Sequence, residues 1–220
     1  MNEQNSFEDF YNSLLAGDRS KSSAIASELL NYGISIKHLY EKIIRNSLYD
    51  IGKMWAEGKI SVATEHMASA IVEAILNDQY PQISAMTKNN KTVIAACAEN
   101  ESHQIGLKMV ADIFELNGWD AIFLGANTPK DDLLNFMKLR KPDALALSLS
   151  LDFNIPTINK TLESARNAFP AMPIIVGGQA FSRFNNFVLP DSNTFLMKGL
   201  DDVEQFAKSF NLKKAVENSV

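Results

Sequence analysis

Apolar residues in the first third of the chain recur at helical spacing. Phe7, Phe10, Tyr11, Leu14 and Leu15 line one face of a helix that Gly17 stops, and Ser6 with Asp9 has the spacing of a capping box. Ala24, Ile25 and Leu29 place a second helix over 21–31, with Gly33 as its stop. The third is long, over 35–56, and carries Ile36, Leu39, Tyr40, Ile43, Ile44, Leu48, Ile51 and Met54 before Gly58. Ser61 caps a fourth, which runs through Met67, Ala70, Ile71, Ala74 and Ile75 and frays near Ala85. Helices with such short connections predict a small four-helix bundle.

The pattern changes after a polar stretch over 78–90, which contains Pro81 and marks a domain boundary. The expected domains are a helical bundle over 1–86 and a second domain over 90–215. In the second, the small and β-branched run 92–97 reads as a buried strand. Leu107, Val110, Ala111, Phe114 and Leu116 follow as a helix ended by Gly118. Further strands are expected at 121–124, 144–151, 173–176 and 194–197. Helices are expected over 130–139, from Asn154 or Thr157 onward, over 180–187 and over 201–210. This alternation predicts an α/β domain, a Rossmann-like (flavodoxin-like) five-stranded parallel sheet in 2-1-3-4-5 order.

Composition narrows the function classes. The chain is 46% hydrophobic and 21% charged, ordinary for a globular protein. No apolar run reaches the ~20 residues of a membrane span, and the polar, acidic N-terminus is no secretory signal. The single Cys97 excludes an internal disulfide and fits a reducing, cytoplasmic setting. A net charge of −5 argues against direct nucleic-acid binding. Zinc-finger spacing, a Walker loop and Gly-x-Gly-x-x-Gly are all absent from the sequence.

The candidate chemistry lies where the first strand gives way to a helix, the place where open α/β sheets bind ligands. Glu101 and His103 stand in that loop, followed by Gly106. Imidazole coordinates transition metals while neutral, and a neighbouring carboxylate fixes its tautomer. In the bundle, Trp55 ends the third helix, and nine residues on, Glu65-His66 open the fourth. Read singly, each residue has a plain structural alternative. His103 fits a capping residue, Trp55 a core aromatic, and Glu65 a favourable charge at a helix N-terminus.

Glu101-Ser102-His103-Gln104-Ile105-Gly106 resembles the Asp-x-His-x-x-Gly signature of cobalamin-binding domains, with Glu in place of Asp. The resemblance implies that His103 is the lower axial ligand of cobalt, that Glu101 bonds its far ring nitrogen, and that Gly106 lets the corrin approach. Ser148-Leu149-Ser150 resembles the family's Ser-x-Leu, which implies a Ser148 hydroxyl, helped by Ser150, on the cofactor's benzimidazole. Gly177-Gly178 resembles the Gly pair that leaves a slot for the nucleotide tail, and Gly125 to Thr128 line the same crevice. Read singly, the Gly pair also fits an ordinary turn and the serines a strand surface.

The segment around Trp55 and Glu65-His66 resembles the helical cap of light-sensing and related regulatory cobalamin proteins, in which these residues cover the upper corrin face. The resemblance therefore implies a sensory protein rather than an enzyme. It would hold cobalamin between cap and sheet domain, with adenosylcobalamin favoured and methylcobalamin or hydroxocobalamin as other forms. Light-sensing members place a His directly after the Trp, where this chain has Ala56. DNA-binding members carry a helix-turn-helix ahead of the cap, so output here is expected through a protein partner or a change of oligomeric state. The alternative is a corrinoid methyl carrier for a pair of methyltransferases. A response-regulator receiver shares the sheet topology and would use Glu99, Glu101, Asp152 and Lys198. It explains neither His103 nor the helical cap, and Asp152 falls two residues past the strand end that a receiver requires.

Overall fold

The computed structural model describes residues 3–183 and 188–217. Two compact units divide at Pro81 and Gln82.

The first unit is helical. α1 (Glu3–Leu15) buries Phe10 and Leu14, with Phe7 and Tyr11 stacked at its margin. Ser6 does not cap this helix: α1 already runs from Glu3, and Ser6 is buried inside it. α2 (Arg19–Asn31) starts ahead of the expected position because Asp18, not a residue near Lys21, accepts the Lys21 N–H at 2.9 Å. α3 (Ile36–His38) and α4 (Arg45–Ala56) form one continuous rod joined by a π-helical turn, Leu39–Ile44, which keeps Leu39, Tyr40, Ile43 and Ile44 all inward. α5 (Val62–Ser84) is capped by the Ser61 hydroxyl, which accepts from Thr64 N at 3.1 Å. Pro81 lies inside α5 rather than in a linker. Proline there lacks the N–H for the carbonyl one turn back and its ring crowds that carbonyl, yet the helix continues to Ser84.

In the second unit, β1 (Thr92–Cys97), β2 (Asp120–Gly125), β3 (Ala144–Ser148), β4 (Ile174–Gly177) and β5 (Thr194–Met197) form an all-parallel sheet in the order β2-β1-β3-β4-β5. The crossovers are α6 (Ile105–Leu116), α7 (Lys130–Arg140), α8 (Ile155–Ala168) and α9 (Gln179–Arg183), and α10 (Leu200–Glu217) closes the chain. Of the helix expected over 180–187, residues 184–187 lie outside the described residues.

Alternation along the strands divides the core between the two faces. Ile94, Ala96, Leu145, Leu147, Ile174 and Val176 pack with Leu133 and Met137 of α7 and with Ile158 and Leu162 of α8. On the opposite face Phe114 of α6, Trp119 and Phe206 of α10 form an aromatic cluster, Trp119 meeting Phe114 edge-on at 5.0 Å. The Trp119 indole N–H donates to the Ala207 carbonyl at 3.3 Å, so the deepest ring in this core is satisfied.

β3 is shorter than its hydrophobic alternation suggests, and the cause belongs to the site. Leu149 N still donates to Gly177 O at 3.0 Å, but the next two amides leave the sheet for the Glu101 carboxylate. The chain therefore turns at Ser150 and Leu151, through a short 3-10 turn at Asp152–Asn154, into α8.

Candidate cofactor site at the carboxyl edge of the sheet

Glu101 is fully buried, and its two oxygens are used differently. One accepts the His103 backbone N–H at 2.9 Å and pairs with the His103 ring at Nδ1. The other accepts Ser150 N at 2.7 Å and Leu151 N at 3.1 Å. Burial pushes this carboxyl up. The bonds from the His103 ring and backbone and from Ser150 outweigh that effect and hold it below the ordinary carboxylate range. Glu101 is thus ionised near neutrality and accepts a hydrogen bond from Nδ1–H, which leaves Nε2 as the ring nitrogen suited to a metal. The His103 side chain is 54% exposed.

The surrounding loops are tied to this one. Asn100 N donates to Asn127 Oδ1 at 2.8 Å, and Asn127 N returns a bond to Glu101 O at 2.8 Å. Ala126 N donates to Gln104 Oε1 at 3.1 Å, and the buried Asn154 side chain donates to Asn100 O at 3.0 Å. The exits of β1, β2 and β3 are therefore one hydrogen-bonded assembly, so His103 is held in place rather than carried on a loose loop. Sequence reasoning missed Asn100 and Asn154 as braces. The signal for Asn100 was its identity, since Asn is the residue that tolerates the left-handed backbone it adopts, at φ 66°.

Cys97 lies fully buried beneath this loop, and its thiol donates to the His103 carbonyl at 3.6 Å. Burial and the Glu101 charge push its pKa up to about 12, which favours the neutral thiol. In register across the sheet stand Cys97, Ser148 and Gly177, and one step inward on the same face Ala95 and Ala146. Ser148 is buried, and its hydroxyl makes no hydrogen bond among the described residues.

The other expected site residues separate clearly. Ser150 contributes its backbone N–H to Glu101. Ser102 is exposed. Gly178 has an internal reason to be glycine: φ is +112°, and a Cβ would stand 2.2 Å from the Leu149 carbonyl oxygen. Gly106 has none. It sits in the first turn of α6, exposed, and a Cβ there would meet nothing within 4 Å.

In the helical unit, Trp55 occupies the last turn of α4 and is 49% exposed, which removes the core-aromatic reading. Glu65, in the first turn of α5, accepts from the Ser69 hydroxyl at 2.9 Å. His66 Nε2 stands 3.7 Å from the second Glu65 oxygen, with its ring largely exposed.

Two family models match, both described as a B12 binding domain, one over residues 6–77 and the other over residues 91–194. The chain belongs to the B12-binding domain proteins. The HTH-type transcriptional repressor CarH of Myxococcus xanthus is 27% identical over 193 residues, covering 87% of this chain and 63% of that protein. Trimethylamine corrinoid protein 2 of Methanosarcina mazei is 24% identical over 140 residues, 62% of this chain and 64% of that protein. The chain thus spans less than two thirds of the length of these relatives. The monomethylamine corrinoid protein of Methanosarcina barkeri superposes with a TM-score of 0.81 at 14% identity, over 95% of this chain and all of that one, and shows the shared fold. No helix among the described residues is long and apolar enough to cross a membrane.

Proposed function

We propose that the protein is a cobalamin-binding sensor in which His103 Nε2 is the lower axial ligand of cobalt. The observation that carries the reading is Glu101. A fully buried carboxylate that orients an exposed imidazole through Nδ1 is the arrangement a metal-bound histidine requires. A single exposed imidazole suits a metal that brings its other ligands with it, as in a corrinoid. Ser148, at the end of β3 in register with Gly177, is proposed to give its hydroxyl to the cofactor's nucleotide tail. Gly106 leaves room for the corrin to approach α6.

Trp55, Glu65 and His66 are proposed to serve the upper ligand, with adenosylcobalamin as the physiological form. The bound cofactor supplies a cobalt–carbon bond that light breaks. Trp55 offers an exposed indole for a bulky upper group to pack on, and Glu65 with His66 offers polar groups beside it. The output is proposed to pass to a cytoplasmic protein partner or to a change in self-association, since a net charge of −5 disfavours nucleic acid.

The longer match to the transcriptional repressor favours a sensor. The similarity to trimethylamine corrinoid proteins supports the second reading, a methyl carrier. To separate them, the protein is loaded with adenosylcobalamin in the dark and followed by absorbance and sedimentation before and after green light. A sensor changes both; a carrier leaves sedimentation unchanged and accepts methyl groups from a partner methyltransferase.

A further inference from the structure

Phe153 is 74% exposed on a segment that is otherwise firmly held. Ser150 and Leu151 before it are fixed by their amides to Glu101, at 2.7 and 3.1 Å. Asn154 after it is buried and bonded to Asn100 O at 3.0 Å, and Ile155 is buried in the α8 core. Both anchors are residues of the loop that carries His103. The backbone that carries the ring is therefore fixed by the same assembly that orients the imidazole. An aromatic ring carried by the same braced loops as the candidate metal ligand offers a bound ligand an apolar surface to pack on.

We infer that Phe153 is a positioning residue for the cofactor, its ring lying against the apolar periphery of a corrinoid whose metal is bound by His103. This rests on the reading given under Proposed function. A disc much wider than an imidazole, centred on His103, must extend over the neighbouring loops, and the β3–α8 turn is hydrogen-bonded directly to the histidine's own carboxylate. Leu151, half-buried in the same turn, flanks Phe153 with a second apolar side chain.

The test titrates the unaltered protein, Phe153→Ala and Phe153→Leu with hydroxocobalamin, followed by absorbance, and records the thermal unfolding of each without cofactor. The expected result is affinity weakened about tenfold or more in Phe153→Ala, equivalent to about 1.4 kcal/mol. Unfolding is unchanged, and Phe153→Leu recovers most of the loss. Unaltered affinity in Phe153→Ala overturns the inference and leaves His103 ligation standing, assigning the ring to another surface such as a protein partner. A fall in unfolding temperature that matches the affinity loss also overturns it, because the residue then serves folding. An unaltered protein that binds no corrinoid overturns the proposed function itself.

Discussion

Replacing Gly106 by Ala should move stability and cofactor affinity in opposite directions. Gly106 has no left-handed backbone, lies in the first turn of α6, and offers open space to a Cβ. Nothing within the chain requires glycine there, and glycine in a helix is less favourable than alanine by roughly 0.5–1 kcal/mol. The cofactor-free variant should therefore gain up to about 1 kcal/mol, a rise in unfolding temperature of about 2–4 °C for a protein of this size. The same methyl occupies space that the account reserves for the corrin, so affinity for hydroxocobalamin should fall about tenfold or more. Urea unfolding without cofactor and absorbance titration with it provide the two readings. A variant that is more stable and binds normally would show that the open space beside Gly106 is not where the cofactor lies. A less stable variant would show that the helix itself needs the glycine.

Glu101→Gln places an amide NH2 against N–H donors. Urea unfolding should show the protein destabilised by about 1–3 kcal/mol. Because the folded-state pKa of Glu101 is depressed, its stabilisation is present above the ordinary carboxylate range and is lost as pH falls through the folded value. The acid limb of the stability profile should therefore be flatter in Glu101→Gln than in the unaltered protein. Gly178→Ala, forced against the Leu149 carbonyl at positive φ, should destabilise by about 2 kcal/mol or more in the same assay, whether or not cofactor is present. Trp55→Ala removes a ring that is about half buried, so stability without cofactor should fall by about 1 kcal/mol in urea unfolding. Retention of adenosylcobalamin relative to hydroxocobalamin should fall.

Much of this was legible in the chain because local and long-range preferences agree. The small and β-branched run Thr92–Cys97 reads as the buried strand it forms, and the helix-spaced residues of α1 to α5 fit one pattern. Misreadings arose where a distant group outcompeted the local signal. The alternation through Leu149, Ser150 and Leu151 looks like continuing strand, yet a carboxylate some fifty residues earlier takes the amides that would have extended it. Ser6 has the spacing of a cap but sits in a helix already under way, and Asp18 supplies a cap that the apolar pattern did not require. Pro81 suggests a linker, but α5 continues through it to Ser84, the helix packing outweighing the local cost of the proline. In the site, the pairing of Glu101 with His103 followed from two positions in sequence. Glu101's second task, bracing the β3 exit, depended on a fold that composition does not reveal.

The most direct test of His103 as the cobalt ligand is the electron paramagnetic resonance spectrum of bound cobalt(II) cobalamin, in protein whose histidines carry nitrogen-15. An axial nitrogen splits each cobalt line into three when it is nitrogen-14 and into two when it is nitrogen-15, because the nuclear spins differ. The account predicts two lines in the labelled protein and three in the unlabelled one. Three lines in both would mean that the axial nitrogen belongs to the cofactor's own base and that His103 does not bind cobalt.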